Sequence, residues 1–258
     1  MKRGTLDILH LQAKDINIQE KLNDVDTIIF IDTLFATTTI VNILYHHEVS
    51  VKACSNLAEF NNSILEGALG ITEPKIIQLI RDKNLVDNST TLLTALPFRL
   101  SKESFQNVNI AFLSTNGTPA LAKLKAHNTY ISSLNNFQTT CSTIKIDVNA
   151  KIAIICAGNR KQPSIEDDWT AGVHILQLIS LYKNSHNVRI DVNANNATKL
   201  YRKLPAKKLI TFSPVAQMAI KRGDEHEVER ALTLGCCDIA IQMNEDCLLF
   251  EVTANAGH

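Results

Sequence analysis

The stretch Thr27-Ile28-Ile29-Phe30-Ile31-Asp32-Thr33-Leu34-Phe35-Ala36-Thr37-Thr38-Thr39 decides the fold class. Residues 27–31 form an apolar run without alternation, the pattern of a strand buried on both faces of a parallel sheet. Residues 37–45 then place Ile40, Val41, Leu44 and Tyr45 on one face of a helix. Threonine is a poor helix former, so a run of threonines at a helix start suits capping or ligand contact better than propensity. Asp32, between buried strand and helix start, stands where open α/β folds build their sites.

Two further segments repeat this transition. Residues 110–114 read as a strand, followed by Thr115-Asn116-Gly117-Thr118 and a helix over 118–126 with Pro119 in its first turn. Residues 151–157 are the cleanest central strand, and Gly158-Asn159-Arg160 leads on to Glu166-Asp167-Asp168 at the head of a helix reaching Tyr182. Acids in a first turn also suit the helix macrodipole, so capping competes with chemistry there. Strands at 6–11, 49–54, 129–132, 238–242 and 247–252 alternate with helices at 56–65, 195–204, 214–222 and 225–234. The alternation predicts a three-layer α/β/α architecture with a mixed, largely parallel sheet. One domain over 1–258 is expected, with two similar lobes, 1–135 and 136–258, as the open alternative. Residues 66–109, with Pro74 and Pro97 among weak apolar clusters, read as an irregular insert or lid.

Composition narrows the class of partner. Lys plus Arg and Asp plus Glu stand at 26 each, so no basic field draws nucleic acid or an anionic membrane. No apolar run approaches the ~18 residues of a membrane span. With 258 residues, 45% of them apolar, the chain can bury a large core and take a small-molecule ligand; self-association is left open. The six cysteines show no C-x-x-C pair and no signal-peptide pattern opens the chain, so the expected setting is cytoplasmic and reducing. The histidines show no H-E-x-x-H spacing, and no G-x-S-x-G elbow, P-loop or G-x-G-x-x-G is present.

Asp32, Glu166 and Asp167 offer hard carboxylate oxygens of the kind that hold Mg²⁺ or Ca²⁺. Consecutive residues on a helix fan out by about 100°, so at most two of the acidic trio face one ion; Glu166 and Asp167 are the chosen pair. Thr37, Thr115, Asn116, Gly117, Thr118 and Asn159 add hydroxyls, amides and bare backbone for an anion, and Arg160 and Lys161 add charge. Cys156 lacks the arginine of C-x5-R, since Gln162 occupies that place, and reads as a buried thiol. D-x-D-x-T is also absent, because Leu34 stands where the second aspartate belongs.

The ordered set D-x-L-x-A-T-T-T from Asp32, S-T-N-G-T from Ser114, C-A-G from Cys156 and E-D-D-x-x-A-G from Glu166 resembles the 2-phosphosulfolactate phosphatases. These are Mg²⁺-dependent enzymes of coenzyme M biosynthesis. The resemblance implies hydrolysis of a small phosphorylated 2-hydroxy acid. In it Asp32, Glu166 and Asp167 hold Mg²⁺, Asp32 and Glu166 act catalytically, and Thr37, Thr115, Asn116, Gly117, Thr118, Asn159 and Arg160 position the phosphate ester. The family pattern carries arginine where this chain has Phe35 and Pro119; Asn88-Ser89 is a remnant of its G-N-S-P segment, and Glu66-Gly67 or Glu73 only loosely matches its G-E-R segment. The alternative is a catalytically degenerate relative that binds an anionic metabolite or serves as an interaction module.

Overall fold

The computed structural model describes residues 3–15, 17–124, 127–160 and 162–252. In chain order the first elements are β1 (Gly4–Gln12), α1 (Ile18–Leu22), β2 (Thr27–Ile31), α2 (Ala36–His46), β3 (Glu48–Ala53) and α3 (Leu57–Leu65). Next come β4 (Leu69–Thr72), α4 (Pro74–Asp82), β5 (Leu92–Thr94), α5 (Pro97–Leu100), β6 (Gln106–Leu113) and α6 (Gly117–Leu121). They are followed by β7 (Thr129–Ser132), α7 (Phe137–Thr143), β8 (Asn149–Cys156), α8 (Ile165–Tyr182), β9 (His186–Ile190) and α9 (Val192–Lys203). The chain continues through α10 (Ala206–Phe212), α11 (Pro214–Lys221), α12 (Glu225–Ala231), β10 (Ala240–Met243) and β11 (Leu248–Val252).

All the strands among the described residues join one 11-stranded sheet, in the order β5-β4-β6-β3-β11-β10-β7-β2-β8-β1-β9. Two parallel blocks, β5-β4-β6-β3 and β7-β2-β8-β1-β9, flank the antiparallel pair β11–β10. At the junctions β11 and β10 run antiparallel to β3 and β7 as well as to each other, so the two blocks point opposite ways along the sheet. The residues that follow β6 and β2 nevertheless meet in one crevice: the added-Cβ position of Gly117 lies only 2.5 Å from Asp32 Oδ2.

The layers follow from burial. Every residue of β2 is buried, as its unbroken apolar run requires. On one face Ile40, Val41 and Ile43 of α2 pack in a single core with Val51, Ile110, Ile131, Ile241 and Leu249, so α2 spans the antiparallel junction. On the other face Ile29, Ile31 and Ile154 pack against Ala171, Ile175 and Leu178 of α8, while Phe60, Ile64 and Ile80 cover the β6 side. This is the expected three-layer mixed α/β architecture.

Residues 66–109 are not an irregular insert: they supply β4 and β5 at one edge of the sheet, with α4, α5 and the first part of β6. The helix expected over 118–126 is shorter, since α6 ends at Leu121 and a 3-10 turn continues it to Leu124; residues 125–126 lie outside the described residues. Helices α1, α7 and α10 and strand β9 were not anticipated. Among the described residues no helix is long and apolar enough to cross a membrane.

Candidate active site

Asp32 follows β2 directly, one residue beyond Ile31, which pairs with Cys156 and Ser132 of the neighbouring strands. The Thr37 hydroxyl donates to the Asp32 carbonyl at 2.9 Å and accepts from the Asp32 amide at 3.0 Å, and the Thr37 amide donates to the same carbonyl at 3.0 Å. Thr38 repeats the device, its hydroxyl donating to the Thr33 carbonyl at 2.9 Å. The threonine run therefore ties the strand-to-helix turn to its own backbone, which accounts for poor helix formers at a helix start.

At the head of α8 the Ser164 side chain caps the Asp167 amide. Asp167 Oδ1 accepts the Thr33 amide at 2.8 Å and Oδ2 accepts the Gly158 amide at 3.0 Å, so this carboxylate joins the β2 and β8 loops. Glu166 is 3% exposed, and its Oε2 has no hydrogen-bond partner. Asp168 turns the other way, accepting Gln12 Nε2 at 2.8 Å. The helical fan thus sends Glu166 and Asp167 into the crevice and Asp168 out of it.

The third loop closes on itself: the Ser114 amide donates to Thr118 Oγ1 at 3.0 Å and the Thr118 amide to Ser114 Oγ at 2.9 Å. The Thr115 amide donates to Glu73 Oε1 at 2.6 Å, and Asn116 Oδ1 accepts the Arg160 amide at 3.3 Å. The loops enclose a cavity of about 420 Å³ lined by Asp32, Glu166, Asp167, Ser114, Asn116, Gly158, Asn159, Arg160 and Glu73. Phe35, Leu96, Phe112, Pro214 and Met218 supply apolar lining, and Lys75, Arg222 and Asp224 line the cavity as well.

Of the residues selected from sequence, Asp32, Asn116, Asn159, Arg160, Glu166 and Asp167 face this cavity; Thr37, Gly117, Thr115 and Thr118 support it from behind. Lys161 lies outside the described residues. Sequence reading touched Glu73 only as one of two loose matches to the G-E-R segment and gave it no role in the site; its carboxylate enters from the amino end of α4. Its one local signal was the Glu-Pro pair, with Pro74 in the first helical turn.

Crowding sets the electrostatics. Burial, then the carboxylates of Glu73 and Glu166, pushes Asp32 up to about 7. Burial and the charges of Asp32 and Glu166 also hold Asp167 well above the ordinary carboxylate range. Like charges in a dry site resist ionising together, and a divalent cation relieves the repulsion. Asp32 and Glu166, whose Oε2 has no hydrogen-bond partner, offer hard oxygens of the kind such an ion takes, whereas Asp167, named from sequence as a third ligand, has both oxygens engaged by the Thr33 and Gly158 amides.

A family model described as 2-phosphosulpholactate phosphatase matches residues 82–246. The chain belongs to the 2-phosphosulpholactate phosphatase family. The match includes the Ser114–Thr118 and Glu166–Asp168 segments, while Asp32 and Glu73, which also line the cavity, lie outside it. A probable 2-phosphosulfolactate phosphatase of Thermotoga maritima is 27% identical over 152 residues, 59% of this chain. The chain spans 62% of the length of that relative.

Proposed function

We propose that this family member is a Mg²⁺-dependent phosphatase that hydrolyses a small phosphorylated 2-hydroxy acid, similar to 2-phosphosulfolactate. The observation that carries the reading is the convergence of Asp32, Glu166 and Glu73 on one cavity that Arg160 also lines. Arg160 forms no ion pair with a carboxylate among the described residues, unlike Lys75 with Glu73 and Arg222 with Asp224.

In this reading Asp32 and Glu166 hold Mg²⁺, and Asp167 keeps the two loops at the spacing they need. Bound Mg²⁺ supplies a Lewis acid that withdraws charge from the phosphoryl group. Arg160 pairs with phosphoryl oxygens, a charge-assisted contact that strengthens as negative charge gathers on them. Asn116 and Asn159 orient the ester, and the Phe35 to Met218 wall receives the uncharged part of the acid and excludes water. Phosphate release from phosphorylated 2-hydroxy acids, measured with excess Mg²⁺ and with chelator, tests the proposal. Turnover untouched by chelator, or by Asp32→Asn, would defeat it.

Phe35 favours a second reading. It half-buries against the group around Ala216, Ala219 and Val228 at a position where the family pattern carries a cation. A degenerate relative would bind an anionic metabolite without turnover. Activity that arises only in a Phe35→Arg, Pro119→Arg double variant would support that alternative, and activity in the unaltered chain would end it.

A further inference from the structure

Behind the cavity the strand ends hold a second cluster that the phosphatase reading does not use. His10 Nε2 lies 3.3 Å from Cys156 Sγ and 3.3 Å from Asp168 Oδ1. The three ligand atoms lie within 4.8 Å of one another. Parallel pairing of β1 with β8 sets His10 opposite Ile154 and Gln12 opposite Cys156, so His10 and Cys156 stand on one face, two positions apart. Asp168 descends onto that face from the first turn of α8.

Hydrogen bonding satisfies one of these two contacts and leaves the other without a directed bond. The same ring nitrogen faces a thiol and a carboxylate oxygen, and Nε2 has either one proton to give or one lone pair to receive. A cation at the centre satisfies all the atoms. Tetrahedral Zn²⁺, with bonds of about 2.05 Å to nitrogen and oxygen and 2.3 Å to sulfur, requires N···O near ~3.4 Å and N···S near ~3.6 Å. The separations found are within a few tenths of an ångström of those edges.

The surroundings also resemble a metal site. Gln12 Nε2 donates to Asp168 Oδ1 at 2.8 Å and so orients the carboxylate. The His10 backbone is anchored to Asp191 and Asn193 at 3.4 and 3.3 Å. Cys156 is fully buried, while the Asp168 side chain is 27% exposed and leaves an entry from solvent. Thiolate with imidazole selects ions of the Zn²⁺ class and is unsuited to Mg²⁺, which demands oxygen.

We propose that His10, Cys156 and Asp168 bind one transition-metal ion of the Zn²⁺ class, in a site separate from the carboxylate cavity and with one coordination position open. Such an ion clamps β1 and β8 to the turn of α8 that also carries Glu166 and Asp167. The proposal is independent of the phosphatase reading, since it concerns metal binding and not turnover.

The test is titration of the full, chelator-stripped chain with Co²⁺ under reducing conditions and in excess Mg²⁺. One equivalent should develop a thiolate-to-metal charge-transfer band in the near ultraviolet, displaced by Zn²⁺. Cys156→Ser should abolish the band. Asp168→Asn should weaken binding by at least the ~10–100-fold that loss of an outer-shell partner costs. Asp32→Asn and the Cys236→Ser, Cys237→Ser double variant should leave the band intact. Circular dichroism checks each variant's fold, and His10→Gln stands in if Cys156→Ser does not fold. Failure of the unaltered chain to bind one equivalent, a band that survives Cys156→Ser or one lost with Asp32→Asn would each overturn the assignment.

Discussion

Gly117→Ala is the sharpest probe of the carboxylate cavity. The new methyl would stand 2.5 Å from Asp32 Oδ2, 3.0 Å from Ala36 Cβ and 3.0 Å from Ser114 Oγ. Ordinary contact begins near 3.4 Å, so the Asp32 oxygen or the α6 turn must retreat by 3.4 − 2.5 = 0.9 Å. Ala36 and Ser114 block the other directions, and Asp32 is buried on a short side chain held at its backbone by Thr37. Metal-ligand distances tolerate only about ±0.2 Å, and a misplacement of about 1 Å near reacting groups costs on the order of 100-fold in rate. We expect kcat/KM for phosphate release to fall by about 10²-fold, with the Mg²⁺ midpoint raised at least ~10-fold. Overpacking should take roughly 1–3 kcal/mol from stability. Steady-state kinetics across a Mg²⁺ series, with denaturant unfolding of the same protein, gives all the numbers. Wild-type kinetics and an unchanged Mg²⁺ midpoint in a folded Gly117→Ala chain would refute the placement of Asp32 as a ligand.

Arg160→Ala should lower kcat/KM by about one to three powers of ten with little change in unfolding free energy, because the side chain is exposed and unpaired with any described carboxylate; equal kinetics would remove it from phosphate binding. His174 lies buried with Nδ1 donating to the Thr170 carbonyl at 2.8 Å and Nε2 accepting the Ser132 hydroxyl at 2.7 Å, and burial pushes it down to about 4. Its folded value lies below its unfolded one, so its stabilisation is whole above about pH 6.5 and is lost as pH falls toward 4, up to about 3 kcal/mol. Titration of the His174 ring by NMR, beside urea unfolding at the two ends of that window, checks this, and a ring that titrates near its ordinary value would contradict it. Gly172→Ala would set a methyl 2.3 Å from the Ala197 carbonyl oxygen and 3.0 Å from Tyr201 Cβ. That pries α8 from α9, and unfolding should show a loss of about 1–3 kcal/mol despite alanine's better helix propensity; a stabilised variant would mean that the helices do not pack so closely.

What could be read in the chain was local. The Thr27–Ile31 run and the helix after it, the Asn149–Cys156 strand and the long helix from Ile165 each declare themselves by period and burial within one segment. Residues 66–109 did not, because β4 has four residues and β5 three, too few for a period to register. Helix α7, Phe-Gln-Thr-Thr-Cys-Ser-Thr, hides behind poor helix formers that tertiary contacts override. At the site, Asp32, Glu166 and Asn116 were legible because each follows a strand that announces itself. Glu73 was not, since only the parallel pairing of β4 with β6, Thr72 opposite Leu113, sets its carboxylate beside the Thr115 amide. The supporting roles of Thr37 and Thr118 were equally invisible, as a hydroxyl gives no sign whether it will meet a ligand or its own backbone.

The place of β10 and β11 in the sheet bears on how the protein is made. They lie between the two parallel blocks in space, yet they follow every other described strand in sequence. A ribosome therefore delivers the central seam last. Until residue 252 emerges, β3 and β7 face outward as bare edges with unsatisfied amides, the surfaces on which nascent chains cross-pair. Loss of the closing hairpin would open the middle of the sheet and not its rim, so chains truncated before Ala240 should accumulate as aggregates or chaperone clients rather than as a shortened enzyme.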